Sequence, residues 1–455
     1  MPPSSPDRRP AGPATGLDVR PFRALTYRVR DPGHLARVSS PAYDLVTAAG
    51  RARLAGLDPH NVVHLILPES DDAATGDADA DGSAAVSPAL SGGPPRWVGR
   101  AARLLREWQD EDVLVRDDSP ALWVYELQPD GGGPATVGWL GAVALPPPGS
   151  TAVLPHEDTF PAAVEGRRAL LAATRTDLEP IVLAHDPDPD VAALTDHARQ
   201  SEPALQLLDD DGVQHRLWRV TDPALLTGVV EALGRTGAVI ADGHHRFAAA
   251  RAHQRTDPDC PGCDAVLALL TPMGPGGLRV AAIHRVVPDL ELEVAARAAE
   301  AGFTVRELPL PAGPDGAAPL AAAVQSWSAD PDGSGFLLSD GVRLLHLDEP
   351  TAAVRERVPP EAPAAWRRLD VVLAHEGLVE GLWRRPDDPD GLLIAHSVEE
   401  ALRIAVERSG VALLLRPPSP ADVAAVARAG ARMPRKSTLF VPKPRTGLVL
   451  RPLAD

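Results

Sequence analysis

The feature that most constrains this chain is a short run near its middle. Ala238-Val-Ile-Ala241 is wholly apolar, Asp242-Gly243 closes it, and His244 to Arg255 follows, rich in Ala and Arg. That order predicts a buried strand, a tight turn and a helix of high intrinsic propensity. Glycine after a buried strand permits a sharp turn and lets a ligand approach the backbone. A helix beginning there points unpaired amides and its positive dipole end at the turn. His244, His245 and Arg246 add donors and positive charge in the first turn, which suits an anion, phosphate above all. Asp242 is placed to hold a metal ion, orient a histidine or cap the helix. The plainer reading makes Asp242 a cap and the next three residues solvated. Cations are mildly disfavoured at a helix N-terminus, and that cost is itself a reason to expect an anionic partner.

The rest of the chain reads as mixed α/β with hairpins, so α+β rather than a purely parallel sheet. Its 455 residues allow two or three domains, and 44% apolar with 24% charged residues is ordinary globular composition. Met1 to Gly16 reads as a disordered tail. Asp71 to Pro95, with almost nothing to bury, reads as a disordered insertion (71–95). Residues 17–287 form one expected region and 288–455 a C-terminal α/β region, where longer helices begin. Helices are expected at Thr47–Leu57, Trp97–Glu111, Pro161–Thr174, Asp190–Arg199, Leu290–Ala301, Ala317–Trp327, Pro363–Trp383, Val398–Ser409 and Pro420–Gly430. Val62–Leu67 has strand bias, as do Ile181–His185, Val266–Leu270, Val280–Val287, Gly335–Leu338, Val342–Leu347, Leu392–Ala395 and Val411–Leu415. Hairpins are expected over Leu122–Leu145 and Leu205–Val220.

A net charge of −17 disfavours non-specific binding to nucleic acid or anionic membranes. With no basic helix-turn-helix, no DNA partner is expected. No apolar run approaches the roughly 18 residues of a membrane span, and the first residues lack the apolar core of a secretory signal. A cytoplasmic location is the expectation. Lys occurs only at 436 and 443, Asn only at 61, and Tyr only at 27, 43 and 125. Such depletion beside abundant Ala, Arg, Gly and Pro suggests a GC-rich genome, and residues that survive it gain weight.

Three further constellations carry possible chemistry. In Leu154-Pro-His-Glu-Asp-Thr159, Glu157 suits a general base or a Mg²⁺ ligand, with His156 beside it; the alternative is a polar cap and a surface salt bridge. Gly430-x₄-Arg435-Lys436-Ser437 superficially resembles a P-loop, but Arg435 replaces the last glycine and a helix precedes it. Lys436, Ser437, Thr438 and Lys443 still make a basic, hydroxyl-rich loop from which Lys436 can reach phosphates; the alternative is a surface loop. Tyr43 and Asp44 are pocket-wall candidates, or a turn and a cap. Cys260-Pro-Gly-Cys263 lacks a second CxxC and the context of a redox thiol, so it reads as a plain turn, and two cysteines make no disulfide framework.

Asp242-Gly-His-His-Arg246, followed by Ala at 248–250, resembles the signature of the ParB/sulfiredoxin superfamily, whose members include CTP-binding partition proteins, sulfiredoxins and free-serine kinases. The serine-kinase branch carries the same five residues; sulfiredoxins carry a cysteine where this chain has His244. Almost the whole chain is also similar to the prokaryotic family numbered 1015 among domains of unknown function. The matching segments are Ser40–Asp44, Asn61–Pro68, Leu154–Thr159, Ala241–Arg246, His284–Val287 and Met433–Thr438 with Pro442-Lys443. The resemblance implies a ParB/sulfiredoxin-like nucleotide-binding unit with a mixed sheet, plus the C-terminal α/β portion. It implies phosphoryl transfer from ATP, ADP or CTP to a small hydroxyl-bearing metabolite, free serine being the first candidate. Gly243, His244, His245, Arg246, Lys436 and Ser437 would hold phosphates. Mg²⁺ would bridge them, with Asp242 or Glu157 as ligand. Glu157, or Asp44, would be the base, and Tyr43, Asp44 and His156 would line the acceptor pocket. The alternatives are a non-catalytic nucleotide-sensing switch and a metal-dependent hydrolase using His156, His244 and His245.

Overall fold

A computed structural model of the chain describes residues 16–69, 96–274, 276–310, 317–330, 334–386, 391–434 and 436–454. The expected insertion 71–95, and the expected tail apart from Gly16, lie outside these residues. The chain divides into two units, Met1–Leu278 with Pro442–Asp455, and Arg279–Val441. The division thus falls nine residues before the expected 287/288 boundary, and the last fourteen residues belong to the first unit. They are tied there by bridges of Thr446 to Ser40 and of Leu450 to Leu25. A strand at Arg451–Pro452 also pairs with Thr176–Asp177.

The first unit opens with β1 (Val19–Arg20), β2 (Leu25–Tyr27), α1 (Pro32–Val38), α2 (Ala48–Leu57), α3 (Val63–Ile66), α4 (Arg96–Asp110) and β3 (Leu114–Arg116). The hairpin β4 (Leu122–Gln128) and β5 (Thr136–Ala144) follows, then β6 (Val153–Leu154), α5 (Pro161–Thr174), β7 (Thr176–Asp177), β8 (Ile181–His185) and α6 (Pro189–Ala198). A second hairpin, β9 (Leu205–Leu208) and β10 (Gln214–Val220), leads to α7 (Pro223–Leu233), β11 (Ala238–Asp242), α8 (His244–Thr256) and β12 (Ala265–Pro272). The main sheet runs β6-β11-β8-β12-β5-β4-β10-β9, with β1 on β5. It is mixed: β11 is parallel to β6 and β12 to β8, and the other pairs are antiparallel.

Alternation sorts the core onto two faces, because successive strand residues point to opposite sides. On β12, Ala265, Leu267 and Leu269 pack with Trp123, Tyr125 and Leu127 of β4 and with α4 and α5. Val266, Ala268 and Leu270 pack on the other face with Leu122 and Val124 and with Val191, Val229, Leu233, Phe247 and Ala250 of α6, α7 and α8. Helices therefore cover both faces, and β8, central to the sheet, is buried at all five residues. That placement brings the end of β11, the start of β8 and the first turn of α8 together at one edge of the core.

Several expectations are corrected. Val62–Leu67 is not a strand; Val63–Ile66 is a helical turn nucleated by Asn61, whose Oδ1 accepts from Val63 N at 2.9 Å. Its Nδ2 donates to the carbonyls of Arg37 and Ser39 at 2.6 and 3.1 Å. A short apolar run buried nearly all round gives no period to read. Pro363–Trp383 is not one helix but Ala364–Arg367, Asp370–Val372 and a π-helical Leu373–Leu382. Val280–Val287 breaks into two strands, and α7 carried no signal read above. Cys260 and Cys263 are not a plain turn but are joined as a disulfide, their Cα atoms 5.5 Å apart.

The second unit holds β13 (Arg279–Ala281), β14 (His284–Val287), β15 (Thr304–Glu307), β16 (Phe336–Ser339), β17 (Leu344–Asp348), β18 (Leu393–Ala395), β19 (Val411–Leu414) and β20 (Leu439–Val441). Six of these form an antiparallel sheet, β15-β17-β16-β19-β14-β18, and β13 pairs with β20. Arg285, fully buried, donates from Nε to His375 Nε2 at 2.9 Å and from Nη2 to the Lys436 carbonyl at 2.9 Å. With its mixed sheet, hairpins and packed helices, the protein is α+β. Among the described residues no helix is long and apolar enough to cross a membrane.

Candidate functional site

The strand–turn–helix forms as its residues dictate. β11 ends at Asp242, where a bulge shifts its register against β8. Gly243 has φ +90°, and a Cβ there would lie 2.8 Å from Ile181 Cγ2 and 3.1 Å from Arg246 Nε. Only glycine meets both demands. α8 then starts with no side chain capping its first amides. Asp242 is therefore not the cap that the plainer reading required, nor are the first-turn residues solvated: His244 is buried, and the Arg246 side chain is only 10% exposed.

Asp242 instead holds two cations. Its Oδ2 accepts from Arg246 Nη2, four residues on, and its Oδ1 accepts from Lys443 Nζ at 2.8 Å. Lys443 Nζ also donates to Asp44 Oδ2, and Arg246 Nη1 donates to the Pro180 carbonyl at 2.6 Å. The Tyr43 ring lies beneath the Arg167 guanidinium, 3.6 Å from its centroid, with Arg246 at 5.6 Å. Glu179 completes the set: its Oε1 accepts from Tyr43 N at 3.0 Å and Thr446 Oγ1 at 3.1 Å, and Arg167 lies 3.9 Å from its Oε2. Asp44, Glu179 and Asp242 thus face Arg167, Arg246 and Lys443, the balance that charges withdrawn from water require. Burial pushes the Asp242 carboxyl up, but Lys443 and Arg246 outweigh it and hold it at about 2. Burial pulls the Lys443 ammonium down, and Asp242 and Asp44 more than reverse that. Burial raises the Tyr43 phenol, which stays protonated. Two buried atoms in this network, Arg246 Nε and Asp44 Oδ1, have no hydrogen-bond partner among the described residues.

The Leu154–Thr159 loop is fastened to the first turn of α8. His156 N donates to His244 Nε2 at 3.3 Å, and the two rings meet edge to face with centroids 4.7 Å apart. Phe160 N donates to His245 Nε2 at 3.1 Å, and its ring stacks on that imidazole at 5.9 Å. These bonds engage one ring nitrogen of each histidine and fix the loop against the turn. Glu157 stands on the fastened loop, its Oε1 3.9 Å from His156 Nε2.

Sequence reasoning placed Tyr43, Asp44, His156, Glu157, Asp242, Gly243, His244, His245 and Arg246 in one site, and the fold gathers them in the first unit. Lys436 and Ser437 belong to the second unit. There Lys436 takes a left-handed φ of +51°, and Ser437 is buried and donates to the Pro434 carbonyl at 2.6 Å. The lysine at the turn is Lys443, which the sequence singled out by its scarcity, its basic loop and the Pro442-Lys443 segment, but not as a site residue. Arg167, Glu179 and Thr446 gave no signal of their own.

Among solved structures, the chain is similar to SbnI with a C-terminal truncation from Staphylococcus aureus. Identity is 13%, covering 69% of this chain and 88% of that one, with a TM-score of 0.34. It is also similar to free serine kinase in complex with AMP, as a mutant, at 13% identity over 66% and 87% of the two chains and TM-score 0.31. A further mutant of that kinase, in complex with ADP, matches at 14% identity over 67% and 88%, TM-score 0.30. Likeness this slight speaks neither to activity nor to individual residues. Comparison with curated proteins finds no match. The matching family model, described as protein of unknown function (DUF1015), spans residues 19–372, and the chain belongs to that family.

Proposed function

We propose that the Asp242–Arg246 turn binds the phosphates of a nucleotide and that the protein transfers the terminal phosphoryl group to a small hydroxyl-bearing metabolite. One observation carries this reading. An uncapped helix N-terminus, behind a turn that only glycine fits, lies beside the largely buried cations Arg246 and Lys443 and two buried polar atoms that have no partner among the described residues. A buried unmet donor or acceptor costs about 1–3 kcal/mol, so such atoms fit a site that a ligand completes. Arg246 Nε supplies a donor for a phosphate oxygen.

In the reaction, the acceptor hydroxyl oxygen bonds to the terminal phosphorus as the bond to the bridging oxygen breaks. The nucleotide, shorter by one phosphate, leaves, and the hydroxyl proton passes to Glu157. Arg246 and Lys443 stabilise the charge spread over the transferring group. Asp242 is a positioning residue that holds both cations in place, and Tyr43 and His156 wall the acceptor pocket. Mg²⁺ commonly accompanies nucleotide phosphates. Asp242 fits poorly as its ligand because both its oxygens already face cations, whereas Asp44 Oδ1 has no partner among the described residues and would hold it. When bound, the ion would neutralise phosphate charge.

The test is product formation with ATP, ADP or CTP and a panel of hydroxyl acceptors beginning with free serine, followed by phosphorus NMR. Glu157→Gln should keep nucleotide binding and lower turnover by about 100-fold or more, the usual contribution of a general base. Turnover unchanged in that variant removes Glu157 from the role. Nucleotide binding with no phosphorylated product from any acceptor overturns the transfer reading in favour of a sensing switch.

A further inference from the structure

We infer that His253, Cys260 and Cys263 form a zinc site in the reduced protein. All three are buried, and one ligand atom from each lies within 4.8 Å of the others. His253 sits in the last turn of α8 and faces the pair, its Nε2 4.0 Å from Cys260 Sγ. Its Nδ1 is buried with no partner among the described residues. Two thiolates and an imidazole are the soft donor set that zinc takes, and the two negative charges cancel those of the ion. A water completes the tetrahedron. Arg175 Nη2 donates to Cys260 Sγ at 3.5 Å, the outer hydrogen bond that steadies a metal-bound thiolate.

The sulfurs are joined to each other in the structure, so the two states exclude one another. A phosphine reductant gives two electrons and is oxidised to its oxide, while water supplies that oxygen and the two protons that turn the disulfide into two thiols. Zinc then binds both sulfurs and the imidazole and releases the two thiol protons.

The position of the site says what it would hold. Leu453 packs against both cysteines, and its N–H donates to the Arg175 carbonyl at 2.9 Å. Arg451 Nη2 donates to the Gly262 carbonyl at 2.6 Å. A Cβ on Gly262, whose φ is +71°, would fall 1.8 Å from the Leu453 carbonyl oxygen. The cluster therefore pins the end of α8 to the C-terminal segment, the two elements that carry Arg246 and Lys443. The inference does not depend on what binds at their other ends.

The full chain, reduced with a phosphine and with its thiols counted, is loaded with Co²⁺ and separately with Zn²⁺. The expected result is a single metal ion per chain after dialysis. The cobalt form should show thiolate-to-metal charge-transfer bands and the intense visible bands of a tetrahedral ion. Both should vanish in the oxidised wild type, which is folded, and in Cys263→Ser. Reduced wild type that retains no metal overturns the inference. Metal retained by oxidised wild type or by Cys263→Ser overturns it as well, because the ion would then sit elsewhere.

Discussion

Asparagine at position 242 is expected to destabilise the protein by about 3–5 kcal/mol, the cost of removing one partner from a buried ionic cluster. The variant keeps the shape of the side chain and loses its charge. Arg246 and Lys443, which share that carboxylate, keep the Pro180 carbonyl and Asp44 as hydrogen-bond partners, with Glu179 and the Tyr43 ring further off, and lose their shared counter-charge. Urea unfolding of wild type and Asp242→Asn measures the difference; a change below about 1 kcal/mol, the worth of an exposed pair, would show that the cluster is hydrated. The same cluster sets an acid limb. The folded carboxyl sits at about 2, below its ordinary value of 3.8. Its stabilisation is therefore complete above that ordinary value and is lost as pH falls through about 2. The Asp242→Asn variant should lack this part of the acid transition.

Replacing Arg246 with alanine is expected to reduce nucleotide-dependent turnover by about 100- to 1,000-fold, the range for losing one fixed donor to developing charge. Arg246→Lys should not restore it. The planar guanidinium serves the Pro180 carbonyl and Asp242 from two nitrogens and keeps Nε over the Gly243 turn; a single ammonium cannot span those positions. Circular dichroism shows whether each variant is folded, and rates are compared only among those that are. Full activity in Arg246→Lys would mean that charge alone matters there.

Much of the first unit was legible because its signals are local. Pro161–Thr174 and Ile181–His185 form with the expected bounds. The turn at Gly243 was legible because an apolar run, a glycine and an Ala-rich stretch each say the same thing at neighbouring positions. Tyr43 was legible as a survivor of a depleted composition, and Asp44 as its neighbour in the turn-rich Ser40–Asp44 segment. What stayed hidden depends on distant chain. Lys443 and Asp44 are 399 residues apart, and nothing in either segment announces the return of residues 442–455 to the first unit. The loop beside Lys443 looked like a phosphate loop, which drew attention to Lys436 instead. Arg167 and Glu179 are ordinary charged residues until the fold sets them around Tyr43. The third member of the cysteine cluster, His253, lies seven residues upstream on a helix, outside any CxxC spacing rule.

The most direct test of the central claim, that the Gly243 turn receives nucleotide phosphates, is thermal unfolding of wild type and Arg246→Ala. Each is measured with ATP, ADP, CTP, GTP, inorganic phosphate or no ligand, with and without Mg²⁺. A nucleotide present at 100 times its dissociation constant adds about 2.7 kcal/mol. The account predicts that at least one nucleotide raises the midpoint of the wild type and not that of the folded variant. Folded wild type that no nucleotide stabilises, or a variant stabilised as much as the wild type, would contradict it.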